Sequence, residues 1–209
     1  MPHQEVPLPA LAEYLPEGAY AKIAPYLIDH KVHLTITRQR QSVLGDYRHP
    51  DHWQGHRITV NGNLNPYNFL LTLVHEIAHL VAFTRYGHSV SPHGREWKAI
   101  YRELLSPFLG CGCLPSDVEA AVRSYIKNPR AASCSDDELI RVLRRYDRDN
   151  HGRVLVEEMP EGALFRTPDG RIFRRMQRLR KRYHCIEVKT KKAYLFSPVY
   201  EVIPLDQAT

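Results

Sequence analysis

Apolar positions along this chain change their spacing several times, and each change marks a different kind of element. Residues 7–29 place Leu11, Tyr14, Leu15, Ile23, Tyr26 and Leu27 at helical intervals, with a proline interruption. Val32-His33-Leu34-Thr35-Ile36 alternates apolar and polar, as a half-buried strand does. Val43–Tyr47 and His56–Val60 predict two more short strands, the second closed by the turn dipeptide Asn61-Gly62. Helical spacing then returns. Asn65 suits an N-cap, Pro66 the first helical position and Gly87 the stop, so a helix is predicted from there through Tyr67–Arg85. Further helices are predicted over 94–105, 115–127 and 136–146, with 128–135 as a linker. After about residue 150, short β-branched and aromatic runs alternate with turns such as Thr167-Pro168-Asp169-Gly170. Residues 153–204 therefore predict a small antiparallel β unit. The fold class is α+β, and the expected domains are 1–132 and 136–209.

The helix after Asn65 is apolar almost all round: Leu70, Leu71, Leu73, Val74, Ile77, Leu80, Val81 and Phe83. Asn68, Thr72, His75, Glu76 and His79 form its single polar stripe. Buried polar groups need partners, and a metal ion would satisfy these. His75-Glu76-Ile77-Ala78-His79 reads H-E-x-x-H, which on a helix puts two imidazoles on one face, one turn apart. Both can bind one zinc ion, with Glu76 placed as general base for a water at the metal. A catalytic zinc takes three protein ligands and keeps a fourth position for water. Candidates for the third ligand are His88, His93, Glu96 and Glu103.

Charge adds a second theme. The chain carries a net +6, but residues 171–192 hold six Arg and four Lys against one Glu, so the rest of the chain is net negative. The cations are Arg171, Arg174, Arg175, Arg178, Arg180, Lys181, Arg182, Lys189, Lys191 and Lys192. Such a segment is the electrostatic footprint of a polyanion, and weak, sequence-independent DNA binding is expected there. Phe173 and Tyr183 are candidate stacking platforms for bases. Four cysteines are too few for a disulfide scaffold. Cys111, Cys113 and Cys134 are expected to be reduced thiols. The N-terminus lacks a signal-peptide pattern and no stretch is apolar enough to span a membrane, so a cytoplasmic location without membrane association is expected. His49, His52 and His56 read as loop histidines, some of them placed to line a cleft.

His75–His79, followed thirteen residues later by His93-Gly94-Arg95-Glu96-Trp97-Lys98, resembles the SprT-like zinc metallopeptidase family. The resemblance is specific over about residues 56–105 and looser over 7–130. It implies His93 as third ligand, a zincin-like core of short twisted sheet plus active-site helix, and one catalytic Zn2+. It also implies kinship with Spartan-type proteases, which digest proteins crosslinked to DNA. The C-terminal part departs from the family: only Cys185 falls near a zinc-ribbon ligand position, so the β unit is expected to be ribbon-like without its Cys ligands.

These readings converge on a zinc metallopeptidase hydrolysing protein substrates, with DNA-associated or DNA-crosslinked proteins expected among them. The strand Arg57–Val60 is expected to pair with an extended substrate chain. The alternative is a DNA-binding adaptor with a structural zinc site and negligible proteolysis. Glu76 favours the enzyme, because a structural site has no use for a base.

Overall fold

A computed structural model describes residues 4–5, 8–40, 43–52, 54–129, 136–149 and 152–205. The chain forms a mixed α+β structure in two compact units, Met1–Tyr146 and Asp147–Thr209.

The first unit is a four-stranded sheet with helices. Its strands are β1 (Gln4–Glu5), β2 (His33–Thr37), β3 (Gly45–Arg48) and β4 (Arg57–Asn61), in the order β1-β2-β4-β3. β2 and β4 run parallel, while β1 and β3 pair antiparallel with their neighbours. The predicted N-terminal helix is two pieces, a 3-10 stretch Leu8–Tyr14 and α1 (Tyr20–Asp29). Gly18 separates them at φ 77°, a conformation that costs glycine little.

α2 (Pro66–Tyr86) is the central element. Asn65 caps it through its side chain, which accepts the Asn68 N–H at 3.0 Å. Gly87 ends it at φ 59°, its N–H returning to the Phe83 carbonyl at 2.7 Å. Phe69, Leu70, Leu71, Leu73 and Leu80 are fully buried. Each contributes up to about 1.5–3 kcal/mol by leaving water. α3 (Arg95–Leu105) and α4 (Ser116–Tyr125) present Trp97, Ile100, Tyr101, Val118 and Val122 to the same core.

α5 (Asp137–Arg144) differs from the expected division of the chain. Its Leu139, Val142 and Leu143 belong to the first unit's core, and Asn65 Nδ2 donates to the Leu143 carbonyl at 2.9 Å. Tyr146 donates to Asp117 at 2.6 Å. An apolar helix face records that it is buried but not against what, so the boundary lies after Tyr146 rather than near residue 133. Residues 130–135 of the expected linker, Cys134 included, lie outside the described residues.

The second unit is a six-stranded antiparallel sheet. Its strands are β5 (Val154–Leu155), β6 (Leu164–Arg166), β7 (Ile172–Leu179), β8 (Arg182–Glu187), β9 (Ala193–Phe196) and β10 (Glu201–Leu205). The order is β5-β10-β6-β7-β8-β9, with the last strand inserted between β5 and β6. Phe165, Phe173, Tyr183, Cys185 and Val202 make a small core of their own. Among the described residues, no helix is long and apolar enough to cross a membrane.

Cys111 and Cys113 are joined as a disulfide across Gly112, correcting the expectation of two thiols. Gly110 and Gly112, at φ 77° and 79°, turn the chain so that the two side chains meet. Cys185 is a buried free thiol, its pKa pushed up to about 11 by burial.

Candidate metal centre

α2 presents His75, Glu76 and His79 toward a cleft of about 590 Å³ bounded by β3 and by the loop leading to α3. His93 comes from that loop. Its backbone sits at φ 60°, an uncommon conformation for a side-chain-bearing residue. Such a residue persists where its surroundings over-determine it, and strain of this kind concentrates at functional sites. The Gly94 N–H closes the turn onto the Ser91 carbonyl at 2.9 Å, after which α3 begins.

The three imidazoles converge through one atom each. Nε2 of His75 lies 3.1 Å from that of His93 and 3.2 Å from that of His79, and the His79–His93 separation is 3.0 Å. Three nitrogens in a triangle cannot all be hydrogen-bonded to one another. Each Nε2 carries either a proton or a lone pair, so at least one pair must be mismatched. A single cation accepts all three lone pairs. These residues form a group able to hold a metal ion, the one such His/Cys/carboxylate group among the described residues.

The surroundings favour neutral, ligating imidazoles. Burial pushes His75 down to about 3, helped by His79 and His93, and pushes His79 down to about 4. Burial also lowers His93. Trp97, one turn into α3, packs its ring 4.6, 5.2 and 4.8 Å from the rings of His75, His79 and His93. Tyr101 stacks behind Trp97 at 4.9 Å and donates to the Leu71 carbonyl at 3.3 Å. This aromatic wall fixes all three rings from one side.

Glu76 is 6% exposed, and burial raises its carboxyl to about 8, with Asp46 adding to the shift. Arg40 and a hydrogen bond from the Tyr47 backbone N–H oppose it. Gly45 makes that contact possible. A Cβ there would lie 2.7 Å from Glu76 Oε1 and 2.8 Å from Thr72 Cγ2, so only glycine lets β3 descend onto this part of α2. Thr72 Oγ1 and His75 Nδ1 are buried without partners among the described residues.

Of the other third-ligand candidates, Glu103 is an exposed partner of Arg85 at 3.2 Å. His88 is exposed and packs edge-on against Phe83 and His49 at 5.2 and 4.9 Å. Glu96 stands outside the convergent group. His49 and His88 line the cleft, whereas His56 sits beyond its lining and bonds the Tyr47 hydroxyl at 2.9 Å. His52 is exposed and outside the lining.

Two expectations are corrected. β4, the strand around Arg57–Val60, is interior, with β2 on one side and β3 on the other, so it has no edge to offer an extended peptide. The edge strand beside the cleft is β3. In the second unit, Phe173 and Tyr183 are buried, so no base can stack on them. Instead Arg175 lies over the Tyr183 ring at 4.3 Å and Arg171 over Phe173 at 5.3 Å. Arg171 also pairs with Asp169 at 2.7 Å. All ten cations of the basic segment except Arg175 are exposed, with Arg180 and Lys181 at the β7–β8 turn.

Comparison with known proteins points to one family. Residues 27–119 match the SprT-like family model. That segment is similar to the SprT-like family. It holds the triad and Glu76, and it ends well before the second unit begins. Protein SprT of Pseudomonas syringae pv. syringae (strain B728a) is 52% identical over 83 residues, which is 39% of this chain and 48% of that protein. Protein SprT of Pseudomonas fluorescens (strain Pf0-1) is 30% identical over 86 residues, with the same coverage. The chain spans about half the length of the curated relatives it matches. No solved structure matches it. The SprT-like segment supplies every residue of the triad, while β6–β10 lie outside it.

Proposed function

We propose that this protein is a zinc-dependent metallopeptidase with a zincin-like catalytic core. Its substrates are proteins, in particular proteins associated with or crosslinked to DNA. The observation that carries the reading is the convergence of His75, His79 and His93 through one nitrogen each, with Glu76 on the same helix in the same cleft.

The donor set suits zinc. Tetrahedral zinc with bonds of about 2.0–2.1 Å separates its nitrogens by roughly 3.3–3.4 Å. The observed 3.0–3.2 Å is close to that spacing. Three neutral histidines leave a fourth position for solvent or substrate, the arrangement of catalytic rather than structural sites. Zinc, when bound, supplies Lewis-acid polarisation of water and of the scissile carbonyl.

The chain's own residues do the rest. Beside a bound cation the Glu76 carboxyl would ionise more readily than in the metal-free protein, where burial holds it at about 8, and as a carboxylate it takes the proton of the attacking water and delivers one to the departing amine. The Tyr47 N–H fixes its carboxylate, and Gly45 gives that carboxylate room. Trp97 holds the imidazoles in place and excludes water from behind them. β3 pairs only with β4 among the described strands, so its remaining edge is open to an extended substrate beside Glu76. That main-chain pairing asks little of substrate side chains. Arg180, Lys181 and Arg182, exposed on the β7–β8 hairpin, are the leading contacts for DNA phosphates.

Metal analysis paired with proteolysis tests the reading. The purified protein is expected to hold one zinc per chain and to cleave casein or itself. A chelator should abolish cleavage and stoichiometric zinc should restore it. Metal-free protein that cleaves at the same rate would remove the basis of the proposal.

A further inference from the structure

The second unit leaves one sheet edge without the usual protection. An edge strand carries backbone N–H and C=O groups that no neighbour uses, and proteins blunt such edges with short length, charges, proline or bulges. β5, at one edge, is two residues long and runs straight into the 3-10 stretch Val156–Glu158. β9, at the other, reads Ala193-Tyr194-Leu195-Phe196 and pairs only with β8 among the described strands. It contains no charge and no proline, and its register with β8 runs without a bulge.

The alternation of the ladder identifies the outward groups. The Glu187 N–H donates to the Lys192 carbonyl at 2.9 Å across the β8–β9 turn. Antiparallel pairing alternates from there, so Tyr194 and Phe196, opposite Cys185 and Tyr183, turn their backbone groups to β8. Ala193 and Leu195 turn theirs to the open edge, and no turn or loop hydrogen bond among the described residues takes them up. The side chains alternate too: Tyr194 and Phe196 pack against the small core, while Leu195 is 53% exposed on the opposite face.

Charge around this edge is one-sided. Lys189, Lys191 and Lys192 are exposed at the turn that leads into β9, and no acidic residue occurs from Val188 to Tyr200. Glu187, just before that stretch, is buried and accepts a hydrogen bond from the Thr190 hydroxyl. Outward donors and acceptors in one row are matched in full by another strand, whereas phosphates match the donors alone. We propose that β9 accepts an extended acidic segment of another protein as a further strand of this sheet, with an apolar side chain beside Leu195 and carboxylates facing Lys191 and Lys192. A second copy of this chain fits less well, because its β9 brings the same lysines and no carboxylate. All of these residues belong to the second unit, so the proposal stands apart from the metallopeptidase reading.

The test follows amide hydrogen exchange by NMR in the full-length, zinc-loaded chain carrying Glu76→Gln, so that the probe stays whole. The probe is a short labelled peptide of alternating valine and threonine ending in two aspartates. Without it, the Ala193 and Leu195 N–H groups should exchange quickly and those of Tyr194 and Phe196 slowly. At saturation the first two should slow by at least about tenfold. The same peptide ending in two lysines should bind about tenfold more weakly. Leu195→Pro removes an N–H that the ladder does not use and should abolish binding. Leu195→Lys, which places a charge on the edge, carries the comparison if the proline variant fails to fold. Unchanged exchange of Ala193 and Leu195 under saturating peptide, or equal affinity for the two peptides, would overturn the proposal. So would protection of these two amides that needs no peptide and grows with protein concentration, which would make a second copy the occupant.

Discussion

The two units of this protein handle polar groups in opposite ways. In the first, His75, Glu76 and Thr72 are buried on a helix whose other faces are apolar, and their positions are set by β3 and by Trp97. In the second, a small core of phenylalanine, tyrosine and valine is closed; Glu187 is buried and Arg175 half-buried, but the other nine cations of residues 171–192 stay outside on long, solvated side chains. Buried polar groups are costly unless partnered, so the first arrangement demands a ligand and fixes its geometry. Exposed cations cost little and fix nothing; they set a field rather than a site. Substitutions in the first unit should therefore produce large, specific losses, and substitutions in the second small, salt-dependent ones.

The largest expected effect comes from removing a ligand. His93→Ala should lower zinc affinity by roughly two to three orders of magnitude, by analogy with the energy shared among ligands of structural zinc sites. Competition with a chromogenic chelator measures this. Retained affinity would move the third ligand elsewhere and break the contrast at its strongest point.

Gly45→Ala comes next. The added methyl would collide with Glu76 and Thr72. Overpacking of this kind costs about 1–3 kcal/mol, measurable by denaturant unfolding. Proteolysis should fall further than stability does, because Glu76 must move while zinc stays bound. Unchanged activity would show that β3 does not position the base.

The pH dependence of the metal-free protein follows from the same burial. His75 and His79 hold protons more weakly when folded, at about 3 and about 4, than their ordinary 6.5. Between those values the unfolded chain carries more protons, so stability is lost as pH falls through that window. Glu76 acts in the opposite sense. Its carboxyl keeps its proton up to about 8 when folded against an ordinary 4.5, so its contribution is lost as pH rises through that interval. Metal-free Glu76→Gln should match wild type near the acidic end and exceed it above pH 8, by up to a few kcal/mol. Unfolding curves across pH measure the difference, and parallel profiles would show that Glu76 is not buried as a neutral acid.

The smallest effect belongs to the second unit. Replacing Arg180, Lys181 and Arg182 together by glutamine should weaken DNA binding several-fold and flatten its salt dependence by up to about three units of slope. Zinc content and unfolding temperature should hardly change. A large loss of stability would mean that these cations do more than set a field.

Much of the first unit was legible because its signals are local. Asn65-Pro66 and Gly87 bracket α2 within a residue, and the spacing of His75, Glu76 and His79 needs only a helix to become two candidate ligands and a candidate base. Spacing alone left the third ligand among four candidates, and the family resemblance favoured His93. What escaped were relations between distant segments. Nothing local tells that Gly45 lies against Glu76, or that Trp97 faces all three imidazoles. The alternation of Arg57–Val60 marks a strand but cannot reveal that β2 and β3 occupy both of its sides. The periodicity of Leu139, Val142 and Leu143 would be the same whichever unit they packed on. The aromatics of the basic segment carried a similar ambiguity: Phe173 and Tyr183 fit both a stacking surface and a core, and burial places them in the core.

The most direct test of the central claim compares zinc-loaded wild type with zinc-loaded Glu76→Gln, each verified at one zinc per chain, in cleavage of a protein substrate. The account predicts equal metal content and a fall in cleavage of about a hundredfold to ten-thousandfold, the range supplied by a positioned general base. Equal cleavage by the two proteins would contradict it.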